Sequence, residues 1–274
     1  MQKKKGRFMT LGTYKAEKKD GTIYYRSNIT YKNKHISLGS FSSKYEASET
    51  YKEAFDLLFS DIKLDEVSDS IHYLSFEKAI ILLNFRDNGL YIGKPIYLRK
   101  HYFSYFLSET KELRFDIDDL FYYSSHKILQ RKGHLYVNDY GMQVTLLSRY
   151  GIKPHAVCNR DYYFVNGDEH DFRYANIVII NPYYGVFRFQ TKNGTYRYRV
   201  KLHINGNFTI GIYSTEMKAA IAYNKAIDLA KSYGIVKSYQ ENYIENLSPK
   251  EYADIYIKIK ISEKFMNYLK NYKN

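Results

Sequence analysis

In the stretch YRYRVKLH at residues 196–203, four nitrogen donors recur at every second position: Arg197, Arg199, Lys201 and His203. Two is the period of a β-strand, so these four share one face while Tyr198, Val200, Leu202 and Ile204 share the other. Such a row on an open sheet face is either solvated surface charge or a surface for an anion laid across it. In the second case its chemistry is to neutralise phosphates and to donate hydrogen bonds to phosphate oxygens and guanine edges. A second set could do acid–base or metal chemistry: His155, Asp161, Asp168, His170 and Asp171 lie close together in the chain. Acidic and histidine side chains around a Gly-containing turn also serve as local caps.

The donor row needs neighbouring strands and a packed layer behind it. Residues 184–234 read as three alternating strands punctuated by Asn-Gly turns, followed by one helix with an Ala-rich face. A shorter, more Tyr-rich version occupies residues 12–59, so the chain carries a repeated module. There an Asp20-Gly21 turn precedes a strand whose Tyr25, Ser27, Ile29 and Tyr31 share one face and Arg26, Asn28 and Thr30 the other. A turn at Lys32-Asn33 and a strand KHISLGSF follow. Ser42 or Ser43 then caps a helix over residues 44–59, with Ala47, Tyr51, Ala54, Phe55 and Leu58 on one side.

Charge follows the same division. The 274 residues carry a net charge of +13. Residues 1–59 hold 12 Lys/Arg against 6 Asp/Glu, residues 182–239 hold 9 against 2, and the remainder is balanced. All the excess positive charge therefore sits on the two modules, as paired phosphate-binding surfaces require. The single Cys158 excludes an internal disulfide and a cysteine-based zinc site and fits a reducing compartment. No apolar run reaches the roughly 20 residues of a membrane span. The start, MQKKKGRF, lacks the apolar stretch of a secretory signal.

The division expected is a first module at 8–60, a linker and helical region at 61–110, a region of short strands at 111–181, a second module at 182–238, and a C-terminal helix at 248–272. In the linker region Ser75 caps a helix from Phe76 to Phe85 that ends at Asp87-Asn88-Gly89, and a strand pair is expected around Lys94-Pro95. In the next region an Asn166-Gly167 turn leads to a short helix over 171–175. The C-terminal helix opens on Ser248, Pro249 and Glu251, the signature of a capping box. Its stripe of Tyr252, Ile255, Tyr256, Ile259 and Phe265 packs on its own domain or forms a homodimer contact.

Both modules resemble the Apetala/ethylene-response-factor family of DNA-binding domains. The second carries that pattern in Gly185-Val186, Tyr198-Arg199, Ile210-Gly211-Ile212-Tyr213 and Ala219-Ala220-Ile221-Ala222-Tyr223. The first carries it in Gly12-Thr13, Tyr25-Arg26, Leu38-Gly39-Ser40-Phe41, and Ala47 with Tyr51. The resemblance implies a three-stranded sheet that reads the major groove of double-stranded DNA, with a helix packed behind. Its contact positions fall on Lys201, His203, Asn207 and Thr209, and on Asn28, Thr30, His35 and Ser37. On the first strand, where plant members place arginines, this chain has Phe187 and Phe189, or Tyr14 and Ala16. Arg188, Gln190 and Lys15 lie beside these positions and join Arg197, Arg199 and Arg26 as candidate contacts, unless the strand contributes less.

Asn166-Gly167-Asp168 followed by Asp171-Phe172-Arg173-Tyr174-Ala175-Asn176-Ile177 is similar to the core of HNH nucleases, including phage-type homing endonucleases with an Apetala-type domain directly after the nuclease. That family needs a histidine base and a metal held by Asp or His and Asn. In those places this chain has Tyr163, Phe164 and Ser148, and only Asn176 remains. The expectation is an α+β chain in which two modules of a three-stranded antiparallel sheet on one helix flank a small mixed ββα-type region that has lost its chemistry, with a helix at the C-terminus. Its expected role is sequence-selective binding of double-stranded DNA inside a cell as a transcription regulator, with no catalytic residue, metal, cofactor or membrane. It would act in the nucleus of a eukaryote, or in the cytoplasm or nucleoid of a bacterium or phage-infected cell. The rival is a homing endonuclease or nickase that uses displaced residues.

Overall fold

A computed structural model describes residues 12–245 and 247–272; the basic start and the expected opening of the first module at 8–11 lie outside the described residues. The chain forms an α+β fold grouped into two compact units. One comprises the described residues up to Leu146 with Asp168–Asn176, the other Leu147–Gly167 with the described residues from Ile177 onward. Residues 111–181 are thus shared between the units.

In the first unit, β1 (Thr13–Glu17), β2 (Ile23–Tyr31) and β3 (Lys34–Phe41) form an antiparallel sheet in chain order, with α1 (Lys44–Phe59) behind it. Lys32 and Asn33 take positive φ of 44° and 61° in the β2–β3 turn. Ser43 is the N-cap of α1, its hydroxyl accepting from the Tyr45 amide. Ile29, Ile36 and Leu38 meet Ala54, Leu57 and Leu58 in one core. After α2 (Val67–Ser70), α3 (Phe76–Asn88) adds Leu82, Leu83 and Phe85 to that core, so the 61–110 region completes the first module's packing. Ser75 caps α3, which runs three residues past Phe85 to Gly89 in the left-handed region.

β4 (Ile96–Leu98), β5 (Tyr102–Ser108) and β6 (Lys111–Asp116) form the next sheet. The turn expected at Lys94-Pro95 lies instead at residues 99–101, where the Arg99 amide donates to the Tyr102 carbonyl at 2.9 Å. Pro95 has no N–H to give a ladder and precedes the first strand. Beyond α4 (Leu120–Ser125), β7 (Ile128–Arg131), β8 (His134–Asp139) and β9 (Met142–Thr145) make a meander. Phe115 joins the two stretches of this unit by stacking on Phe172, ring centroids 5.4 Å apart.

In the second unit, β10 (Tyr162–Phe164) pairs antiparallel with β11 (Ile177–Ile179). Where a short helix over 171–175 was expected, the first unit has one 3-10 turn at Tyr174–Asn176. No α-helix stands between β11 and the next strand; the chain passes through residues 180–185 into β12 (Val186–Gln190), β13 (Tyr196–His203) and β14 (Asn207–Tyr213). Behind this sheet lies α5 (Glu216–Ser232), N-capped by Thr215, whose Ala219, Ala220, Tyr223, Ala226 and Ile227 bury Val186, Val200, Leu202 and Ile210.

The single helix expected over 248–272 is two helices, α6 (Pro249–Lys258) and α7 (Glu263–Lys270). The capping box at Ser248 and Glu251 opens α6 as expected. The Lys225 ammonium donates to the carbonyls of Tyr256 and Ile259 at 2.8 and 3.0 Å and closes it. Residues 259–261 then run extended, as β-branched Ile259 and Ile261 favour. The Ser262 amide donates to the Ile210 carbonyl at 2.8 Å, and its hydroxyl starts α7. Tyr252, Ile255, Tyr256 and Ile259 pack on the unit's own core, and Phe265 and Leu269 are fully buried in it. The apolar stripe therefore packs on its own domain. Among the described residues no helix is long and apolar enough to cross a membrane.

The modules repeat one another down to backbone irregularities. Gly12 and Gly185 take φ of 75° and 67°, and a Cβ on either would overlap the ring of Tyr51 or Tyr223. A register shift falls between Ser27 and Asn28 in one and between Val200 and Lys201 in the other. The amide beyond each shift, Asn28 or Lys201, donates to the carbonyl of Gly12 or Gly185 at 2.9 or 2.8 Å.

Candidate nucleic-acid interface

Cross-strand register decides which side chains share the open face of the second module, because residues directly opposite in an antiparallel pair project to the same side. Val186 lies opposite Val200, both 0% exposed on the α5 side. One step along, Phe187 lies opposite Arg199, and Phe189 opposite Arg197, on the outer side. Across the other ladder, Lys201 faces Thr209 and His203 faces Asn207. Arg197, Arg199, Lys201 and His203 thereby share one face, as the alternation implied, and Asn207 and Thr209 lie beside them. His203 Nδ1 and Asn207 Oδ1 are 3.1 Å apart.

The phenylalanines answer how three cations stand side by side. The Arg199 guanidinium lies 4.9 Å from the Phe189 ring centroid, and the Lys201 ammonium 5.7 Å from that of Phe187. Cations over ring faces gain from the ring quadrupole. The rings also restrict where the side chains point. The first strand thus contributes aromatic supports to this face. Arg188 and Gln190 do not join this face, which corrects the expectation for them. They lie opposite Tyr198 and Tyr196 on the helix side. Arg188 stacks on Tyr196 at 4.8 Å, and Gln190 Nε2 donates to the Gly194 carbonyl at 2.8 Å. Burial raises the Glu216 carboxyl above its usual value, and nearby Arg188 opposes that rise.

Sequence reading also missed Arg160. Its guanidinium lies 5.6 Å from the Phe187 centroid, and with Phe187, Phe189, Arg199, Lys201 and His203 it lines an open cavity of about 460 Å³. The alternation in VFRFQ could have placed the phenylalanines under the cations. Nothing local could have placed Arg160, 27 residues before Phe187, beside them.

The first module presents the same positions with different chemistry. Tyr14 lies opposite Arg26, Ala16 opposite Tyr24, Asn28 opposite Ser37, and Thr30 opposite His35. Arg26 donates to the Tyr24 hydroxyl at 2.6 Å and stands 5.3 Å over its ring. Thr30 Oγ1 and His35 Nδ1 are 3.2 Å apart. Lys15, opposite Tyr25, belongs to the helix side and does not join the face, a second correction to the candidate contacts. The outer face thus holds one Arg where the second module holds two Arg and a Lys.

The candidates for displaced catalysis are held in local pairings, His170 Nδ1 lying 3.6 Å from Asp168 Oδ1. Asp161 lies in the second unit; Asp168, His170, Asp171 and Asn176 lie in the first. Asp161 is 4% exposed and accepts from the Val157 amide, the Arg160 guanidinium and the Asn181 amide group. Burial by itself would raise its carboxyl, but these three hydrogen bonds outweigh burial and hold it below the usual aspartate value. Asp171 is fully buried against Arg173, with Nε to Oδ1 at 2.8 Å, and Asp168 pairs with Arg114 at 3.4 Å. Asn176 donates to the Asp171 carbonyl at 2.8 Å. His155 is exposed. Among the described residues no three His, Cys, Asp or Glu side chains are grouped so as to hold a metal ion. Comparison of the chain with protein-family models, curated proteins and solved structures gave no match.

Proposed function

We propose that the chain is a sequence-selective double-stranded DNA-binding protein, a transcription regulator acting inside the cell, whose modules are of the Apetala type and whose β13–β14 face enters the major groove. The observation that carries this reading is the outer face of the second module. Arg197, Arg199, Lys201, His203, Asn207 and Thr209 all project from it, two of the cations braced on phenylalanine rings. A sheet this narrow fits the major groove, about 12 Å wide, where Arg and Lys donate to guanine and to flanking phosphates. Residues 111–181 serve as scaffold in this reading and carry no catalysis.

The test is Arg199→Ala with Lys201→Ala in the full chain, titrated by fluorescence anisotropy against a duplex selected from a random pool. Affinity falls by roughly 100-fold or more, and the slope of log K against log salt falls by about 1.8, which is about 0.9 for each phosphate no longer neutralised. Unchanged binding and slope would overturn the reading, and cleavage of the duplex on adding magnesium would overturn the scaffold role of residues 111–181.

A further inference from the structure

We propose that Arg160 is a phosphate-positioning residue of the second module's interface, delivered by a rigid bracket built from residues 157–161 and Asn181. This rests on the DNA-binding reading and extends the interface beyond the sheet. The bracket is a closed turn. The amides of Arg160 and Asp161 donate to the Val157 carbonyl at 3.1 and 2.9 Å, and Asn159 takes a left-handed φ of 64°. Asp161 ties the turn inward, since its carboxylate accepts from the Val157 amide and from Asn181 Nδ2 at 3.0 Å, and its carbonyl from the amides of Ile180 and Asn181. Asn181 Oδ1 in turn accepts from the Arg188 amide, in β12, at 2.8 Å. A continuous hydrogen-bond chain therefore fixes Arg160 to the first strand of the sheet.

The guanidinium is aimed as well as anchored. Nε and Nη2 donate to Asp161 Oδ2 at 3.0 and 2.6 Å, while the side chain stays 54% exposed. Guanidinium has five N–H donors, so three remain to point outward. They do so over Phe187, the ring that also carries Lys201, at the margin of the cavity shared with Arg199. A phosphate oxygen in that cavity would meet donors from the bracket and from β13. A buried carboxylate already neutralises Arg160, so its contribution is directional hydrogen bonding with little counterion release, unlike that of Arg199.

That difference gives the test, made in the full chain on the selected duplex from 50 to 300 mM salt. Two variants are read: Arg160→Ala with Asp161→Asn, which leaves no buried carboxylate without its partner, and Arg160→Gln, which keeps one donor beside Asp161. Each weakens binding by roughly tenfold, while the salt slope changes by less than half the ~0.9 expected for one fully neutralised phosphate. If both variants bind as tightly as the parent while Arg199→Ala with Lys201→Ala loses binding, Arg160 has no such role and the DNA-binding reading stands. If all three bind as the parent does, that reading falls too.

Discussion

Thr13 and Ser27 show what a single position means in a repeated module. They lie opposite one another beneath α1, where the second module has Val186 and Val200, and among the described residues neither hydroxyl has a hydrogen-bond partner in its buried site. A buried hydroxyl without a partner costs about 1–3 kcal/mol, whereas an apolar pair of similar shape removes the penalty. Thr13→Val with Ser27→Val is therefore expected to raise stability by roughly 1–2 kcal/mol, read as a higher urea midpoint at unchanged slope. The same comparison explains Gly12 and Gly185, whose close approach to Tyr51 and Tyr223 permits no side chain. Such residues were legible as pattern matches. Their physical role needed the helix behind them, because the ring that excludes a Cβ comes from far along the chain.

Among the elements, the turn before β10 matters beyond its length. Asp161 accepts the hydrogen bonds that hold it, and its carboxyl lies below the usual value because those bonds outweigh burial. A depressed native value means stability fully present above the ordinary aspartate range, about 3.9, and lost as pH falls through the lower native value. Asp161→Asn is expected to cost roughly 2 kcal/mol at pH 6. Thermal melts should show that gap shrinking as pH falls below about 4; a gap constant from pH 6 to 3 would mean the carboxylate charge contributes nothing. Helix starts were the most readable elements, since Ser75 and Ser248 each cap where local pattern placed them, and Ser43 is one of the two residues that pattern offered for α1. The break between α6 and α7 was not readable, because Ser262 leaves the helix to bond the Ile210 carbonyl of β14, a partner 52 residues away.

For the molecule as a whole, charge sets the behaviour the DNA-binding reading predicts. With about four phosphates neutralised, the slope is near −3.6, so raising salt from 50 to 200 mM should weaken binding of the full chain roughly 150-fold. An affinity flat across that range, measured on the same duplex, would leave the net charge of +13 without this role. The sequence by itself determined the α+β class, the repeat, the helix caps and the alternation that puts Arg197, Arg199, Lys201 and His203 on one face. Each of these follows from propensity and period, which act over a few residues. The alternation also separates Arg188 and Gln190 from Phe187 and Phe189; only the tertiary structure decided which ring lies under which cation, that Lys15 shares the side of Tyr25, and that Arg160 joins the face. Strand register and contacts between distant segments depend on which elements pack together, and no local spacing encodes that.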